Sequence, residues 1–261
     1  MTSDVEEVPL TGGNVNSVVR KGDTVRRQLT PQSKTVHEFL VHLEKTQVPA
    51  SRFLGVDSQG REILSFIEGE TDFPEDLWNS DTWLTKSARL LRQFHDASTE
   101  FVPTEPTHWA FEYPDTTQHE VINHNDFAPY NMVFTPDGAI SIIDIDLCGP
   151  GPRVRDLAYL AYWMAHLSFS SDPIHKFPNV DLEHVASRVN TLCRAYEYDD
   201  SKRLLAMVSE VLNHMANETT AIAMLGEKAA ASLKAGGNFA RWACEAAAFD
   251  EQREELAALM A

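Results

Sequence analysis

The first seventy residues alternate apolar and polar side chains in short runs, whereas the rest of the chain repeats them every three or four positions. Residues 15–29, VNSVVRKGDTVRRQL, predict two strands around a turn at Lys21-Gly22-Asp23. Ser33 to Lys45 places Val36, Phe39, Leu40 and Leu43 at helical spacing behind Pro31. Arg52–Val56 and Glu62–Ile67 return to a strand pattern across the turn Asp57-Ser58-Gln59-Gly60. Helices follow at Asp81–His95 and Leu157–Leu167, and the chain is helical almost throughout from Asp181. Between them, two short apolar runs at 131–134 and 140–145 flank Thr135-Pro136-Asp137-Gly138, a hairpin signal. The pattern is α+β: a small strand-rich lobe over residues 1–69 and a larger, mainly helical lobe over 70–261.

Composition narrows the function classes. The formal charge is -17, with 22 Lys and Arg against 39 Asp and Glu, and a nucleic-acid partner calls for the opposite sign. The first 70 residues hold a net of only -2, so the acidity lies in the helical part. That distribution fits either a solubilising surface or a pocket that draws in a cationic small molecule. Three scattered cysteines suit reduced thiols rather than a sulfur metal site. An acidic N-terminus and the lack of any long apolar run predict a cytoplasmic protein without a membrane partner. Oligomeric state leaves no mark in the sequence.

The chemistry concentrates in His124-Asn125-Asp126-Phe127-Ala128-Pro129-Tyr130-Asn131 and in Ile142-Ile143-Asp144-Ile145-Asp146. Phosphoryl transfer needs a carboxylate to orient a hydroxyl and take its proton, and oxygen ligands to hold Mg against phosphates. An Asp, an Asn five residues on and a second Asp returned by a tight hairpin bring three such groups to one place. Mg favours a few protein oxygens completed by water and phosphate, a role open to Asn131 and Asp144. Singly, each could instead cap a turn or end a strand.

HNDFAPYN followed by IIDID, then Gly149-Pro150-Gly151-Pro152 and Asp156-Leu157-Ala158-Tyr159, resembles the aminoglycoside phosphotransferase and choline kinase superfamily. Within it, the likeness is greatest to bacterial proteins labelled phosphotransferases or trifolitoxin immunity proteins. The resemblance implies a two-lobed protein-kinase-like fold and ATP as donor, with Asp126 as catalytic base. Asn131 and Asp144 become Mg ligands, and His124 a brace of the catalytic loop. Asp146 stays open between a further ligand and a strand-end carboxylate.

In the smaller lobe the resemblance maps the nucleotide site onto Val25 and Arg27 of the second strand, with Gly12-Gly13 as the phosphate-covering loop and Phe66 and Ile67 at the adenine hinge. Arg27 stands where the family carries Lys, a change of geometry as well as length. The glutamate expected to pair with it, on helix 33–45, falls at Val36 or His37, and Glu38 is one step off. The acceptor implied is a small, cationic molecule phosphorylated on a hydroxyl. The alternative is a kinase-like immunity protein that sequesters a toxin or antibiotic without turning it over.

Overall fold

The computed structural model describes residues 6–10, 18–178 and 181–260. Gly13 and its neighbours therefore lie outside the described residues. An antiparallel sheet is built from β1 (Val8–Pro9), β2 (Val19–Lys21), β3 (Thr24–Gln28), β4 (Phe53–Val56) and β5 (Arg61–Ser65) in the order β1-β2-β3-β5-β4. The expected strand pairs both form, but β5 inserts between β3 and β4. Arg27 thereby comes directly opposite Glu62, and Val25 opposite Leu64.

Helix α1 (Ser33–Lys45) has the predicted limits, and its stripe of Val36, Phe39, Leu40 and Leu43 is buried. That stripe joins one continuous apolar core with α2 (Asp81–Ser98) and α3 (Arg153–Met164). Eleven of the twelve residues of α3 are buried, which accounts for the apolar run from Leu157 onward, although the helix begins four residues before and ends three before the predicted Leu157–Leu167. Around it pack α4 (Leu182–Tyr196), α5 (Ser201–Met215) and α8 (Asn238–Leu259), with α6 (Glu218–Leu225) and α7 (Glu227–Ala235) linking α5 to α8. Among the described residues no helix is long and apolar enough to cross a membrane.

Two small sheets deliver the chemistry. β6 (Val121–Asn123) pairs with β9 (Gly149–Gly151), and β7 (Met132–Phe134) with β8 (Ile140–Ile142). The β7–β8 hairpin is held on both flanks by chain from the preceding region. Ile142 donates to Pro49 O at 2.8 Å, Ser51 donates to Ile142 O at 3.2 Å, and Glu70 and Phe134 exchange two bonds of 2.9 Å. Gly69 permits the second contact: its φ is +152°, and a Cβ there would lie 2.6 Å from Val133 Cγ1 and 2.7 Å from Phe134 O. The second strand of the hairpin is shorter than its apolar run suggests. It ends at Ile142, and Asp144 takes a left-handed conformation (φ 60°) ahead of a 3-10 turn at Ile145–Leu147.

Candidate active site

The loop of residues 124–131 hangs on one buried carboxylate. Asp156, in the first turn of α3, accepts from the backbone N–H groups of His124 (2.6 Å) and Asn125 (2.9 Å) and from His95 Nε2 of α2 (3.0 Å). Burial alone would raise its pKa, but the His95 bond and the neighbouring histidines carry it below the usual carboxylate range. Asn125 holds a positive φ of 65°, and its side chain donates to Leu147 O at 2.8 Å while accepting from Arg155 Nε at 3.0 Å. His124 is wholly buried, with Nε2 3.1 Å from Ile143 O. Burial lowers its pKa, so a neutral ring ties the loop to the β8 exit.

This frame presents Asp126. Its Oδ1 accepts from the Tyr130 hydroxyl, which in turn lies 2.8 Å from that of Tyr159, and its Oδ2 accepts from Asn131 Nδ2 at 2.8 Å. Burial pushes the Asp126 carboxyl up to about 7; the charge of Asp144 adds to this, against the bonds from Tyr130 and Asn131. A second bond from Asn131 Nδ2, to Asp126 O at 2.9 Å, fixes the amide so that Oδ1 is left for another partner.

Across the cleft, Arg27 is nine-tenths buried and serves three carboxylates. Nε donates to Glu62 Oε1 at 2.5 Å, Nη1 to Asp144 Oδ1 at 2.9 Å, and Nη2 to Asp146 Oδ1. Asp144 keeps half its side chain open to solvent. Asp146 is more enclosed, and its pKa is raised to about 6 by burial, with Arg27 opposing and Asp144 adding to the shift. Glu62 was not anticipated from sequence. It is the partner that helix α1 fails to supply: Glu38 turns away to accept from Thr104, while His37 Nε2 donates to Glu62 Oε2 at 2.6 Å.

The donor set suits a hard divalent cation. Asp144 offers a half-exposed carboxylate and Asn131 its free amide oxygen, and three acids face one arginine, an excess of negative charge that a cation would offset. Val25 and Leu64 lie on the same sheet face as Arg27. At the hinge the two candidates differ. The Phe66 amide is spent on Asp23 O (2.9 Å) and its ring stacks under Arg20, 3.6 Å away, whereas the Ile67 amide has no partner among the described residues. A cavity of about 750 Å³ opens elsewhere, lined by Glu183, Asn190, Arg194, Tyr198 and Leu259, and shares no residue with this cleft.

Beside Tyr130 the wall is aromatic. Trp163 meets Tyr130 edge-on at 5.2 Å, His175 lies 5.6 Å from Trp163 and 4.8 Å from Trp78, and Phe177 is 4.8 Å from His175. Glu245 of α8 anchors the segment that carries His175, accepting from Ser168 Oγ and from Ile174 N–H, each at 2.9 Å.

Residues 106–200 match the phosphotransferase enzyme family. The trifolitoxin immunity protein of Rhizobium leguminosarum bv. trifolii is 35% identical over 168 residues, which is 62% of this chain and 63% of that protein, so less than two thirds of its length is spanned. Three solved structures share the fold. Plasmodium vivax ethanolamine kinase aligns with a TM-score of 0.58 at 12% identity over 92% of this chain and 84% of its own. An aminoglycoside phosphotransferase from Alicyclobacillus acidocaldarius gives 0.56 at 14% identity, over 99% and 93%. One from Streptomyces rimosus, in complex with ADP and streptomycin, gives 0.54 at 15% identity, over 80% and 92%. The chain is thus similar in sequence, over residues 106–200, to the phosphotransferase enzyme family, and its fold is kinase-like.

Proposed function

We propose that this protein transfers the γ-phosphoryl group of ATP to a hydroxyl of a small, cationic molecule in the cytoplasm, with residues 1–69 as the nucleotide lobe and 70–261 as the catalytic and acceptor lobe. The observation that carries the reading is the convergence of Asp126 and Asn131 from one loop with Asp144 and Arg27 from two other segments, with one carboxylate tuned near neutrality. Asp126 orients the acceptor hydroxyl and takes its proton. A carboxyl near pH 7 is ionised in about half the molecules at that pH and matched to that task. Arg27 contacts phosphate oxygens through the fork that now reaches Asp144 and Asp146. The Ile67 amide is the hinge donor for the base, and Val25 lies beneath it. Mg, held by Asn131 Oδ1 and Asp144, would offset phosphate charge when bound.

Two features support a cationic acceptor: the acidity of the helical part, and the aromatic cluster that reaches Tyr130 through Trp163 and continues to His175, Phe177 and Trp78. A sequestering role is the second reading. Its support is the immunity-protein relative and the pairing of Arg27 with both Asp144 and Asp146.

ADP release with MgATP, measured across amino alcohols, aminoglycosides and neutral sugars, separates the two. Turnover of a cationic acceptor is expected, and Asp126→Ala should lower kcat by roughly 10²–10⁴-fold with nucleotide affinity nearly unchanged. Near-normal turnover in that variant removes Asp126 from its role. Tight binding of a candidate by the wild type without ADP release selects sequestration.

A further inference from the structure

Arg27 is a long side chain with several torsions, yet it is nine-tenths buried and aimed into the cleft. Something must hold its plane. The β3–β5 register sets Glu62 directly opposite, on the same face of the sheet, and Glu62 Oε1 takes the Nε proton at 2.5 Å. Glu62 is itself 2% exposed. Burial opposes its charge, but the bonds from His37 and Arg27 outweigh that and keep it ionised. Its other oxygen, Oε2, lies 2.6 Å from His37 Nε2, and the His37 ring stacks flat on Phe53 at 3.7 Å and 12°. The order of support is therefore Phe53, His37, Glu62, Arg27, running from β4 and α1 through β5 into β3.

We infer that Glu62 and His37 are positioning residues for Arg27, and that the phosphate contact is set from within the sheet rather than by an acid on helix α1. This rests on the nucleotide-site reading above. A guanidinium pinned at Nε turns both terminal nitrogens toward the cleft, where Asp144 and Asp146 take them and a bidentate phosphate would compete for them. Glu62 belongs to the neighbouring strand, so its bond to Arg27 is fixed by ladder register. A shift of α1 disturbs only the outer bond, from His37.

The test is a titration of ATP, with and without Mg, into wild type, Glu62→Ala, Glu62→Gln, His37→Ala and His37→Gln, each checked for folding by thermal melting. Glu62→Ala should weaken nucleotide binding by about 10-fold, Glu62→Gln by less, and His37→Ala by about 2–3-fold with recovery in His37→Gln. In turnover, KM for ATP should rise while kcat at saturating ATP changes less. The same substitutions repeated on an Arg27→Gln background should have no further effect on affinity, because their action passes through Arg27. If Glu62→Ala does not fold, Glu62→Gln carries the cycle alone. Unchanged affinity in the Glu62 variants, or an effect of equal size with Arg27 already removed, overturns the inference while leaving the nucleotide site intact. A wild type that binds no ATP overturns the site and the inference together.

Discussion

Asp156 and Arg27 are both buried charges with three partners, and they differ in what those partners are. Asp156 gathers neutral donors, two backbone amides and the His95 ring, and every one of them belongs to the support of the catalytic loop. Arg27 gathers three anions, and two of them face the cleft. A carboxylate satisfied by neutral dipoles has its charge stabilised without attracting anything further. An arginine outnumbered by acids leaves net negative charge beside it, so the surroundings favour another cation. The first arrangement fixes a loop; the second leaves a site with chemistry still to do.

The largest expected effect falls on the fixed side of this comparison. Asp156→Ala strands two buried amide donors and a buried histidine, and should cost about 3–5 kcal/mol of unfolding free energy in denaturant titrations, enough to unfold a marginal domain. A loss under about 1 kcal/mol would mean that the loop is held by other contacts. Within the cleft, Asp126 sits between the two cases, since it is hydrogen-bonded by neutral groups yet its pKa is pushed up to about 7. A carboxyl whose folded pKa exceeds its unfolded value binds its proton more tightly in the native state, so its ionisation weakens the fold as pH rises. Asp126→Asn removes that penalty. Relative to wild type, its unfolding free energy should gain nothing below about pH 4, rise between about pH 4 and 7, and level off above, with a ceiling of ~4 kcal/mol from ~1.36 kcal/mol per unit. A gain independent of pH would refute the burial of the charge. The smallest effect on stability belongs to the half-exposed Asp144. Asp144→Ala should change stability by less than about 1 kcal/mol, yet abolish the enhancement of nucleotide affinity by Mg. Unchanged Mg dependence would return the metal role to Asp146.

The catalytic loop and its support were unequally legible. Asp126, Asn131 and Asp144 could be read because a five-residue spacing and a tight hairpin bring them together through short stretches of chain. Asp156 stands in the motif Asp156-Leu157-Ala158-Tyr159, but its pairing with His95 could not be read, since 61 residues separate them and only the packing of α2 against α3 makes them meet. Arg27 was visible as a basic residue on an alternating strand, and the absence of a glutamate at the expected place on α1 was visible too. That Glu62 takes its place was not, because strand alternation says which face a residue occupies and not which strand lies alongside. Phe66 and Ile67 looked equivalent at the hinge; the structure distinguishes them by which amide is already bonded.

By itself the sequence determined the main helices and the strands β2 to β5, β7 and β8, the α+β character, the limits of α1 and the composition of the 124–131 loop, because helix periodicity, strand alternation and turn chemistry act over a few residues. Only the tertiary structure decided that β5 lies beside β3, that Glu62 rather than Glu38 holds Arg27, and that an aromatic wall stands next to Tyr130. Those outcomes follow from burying the apolar faces of strands and helices in one core, a balance summed over the whole chain that no local pattern records.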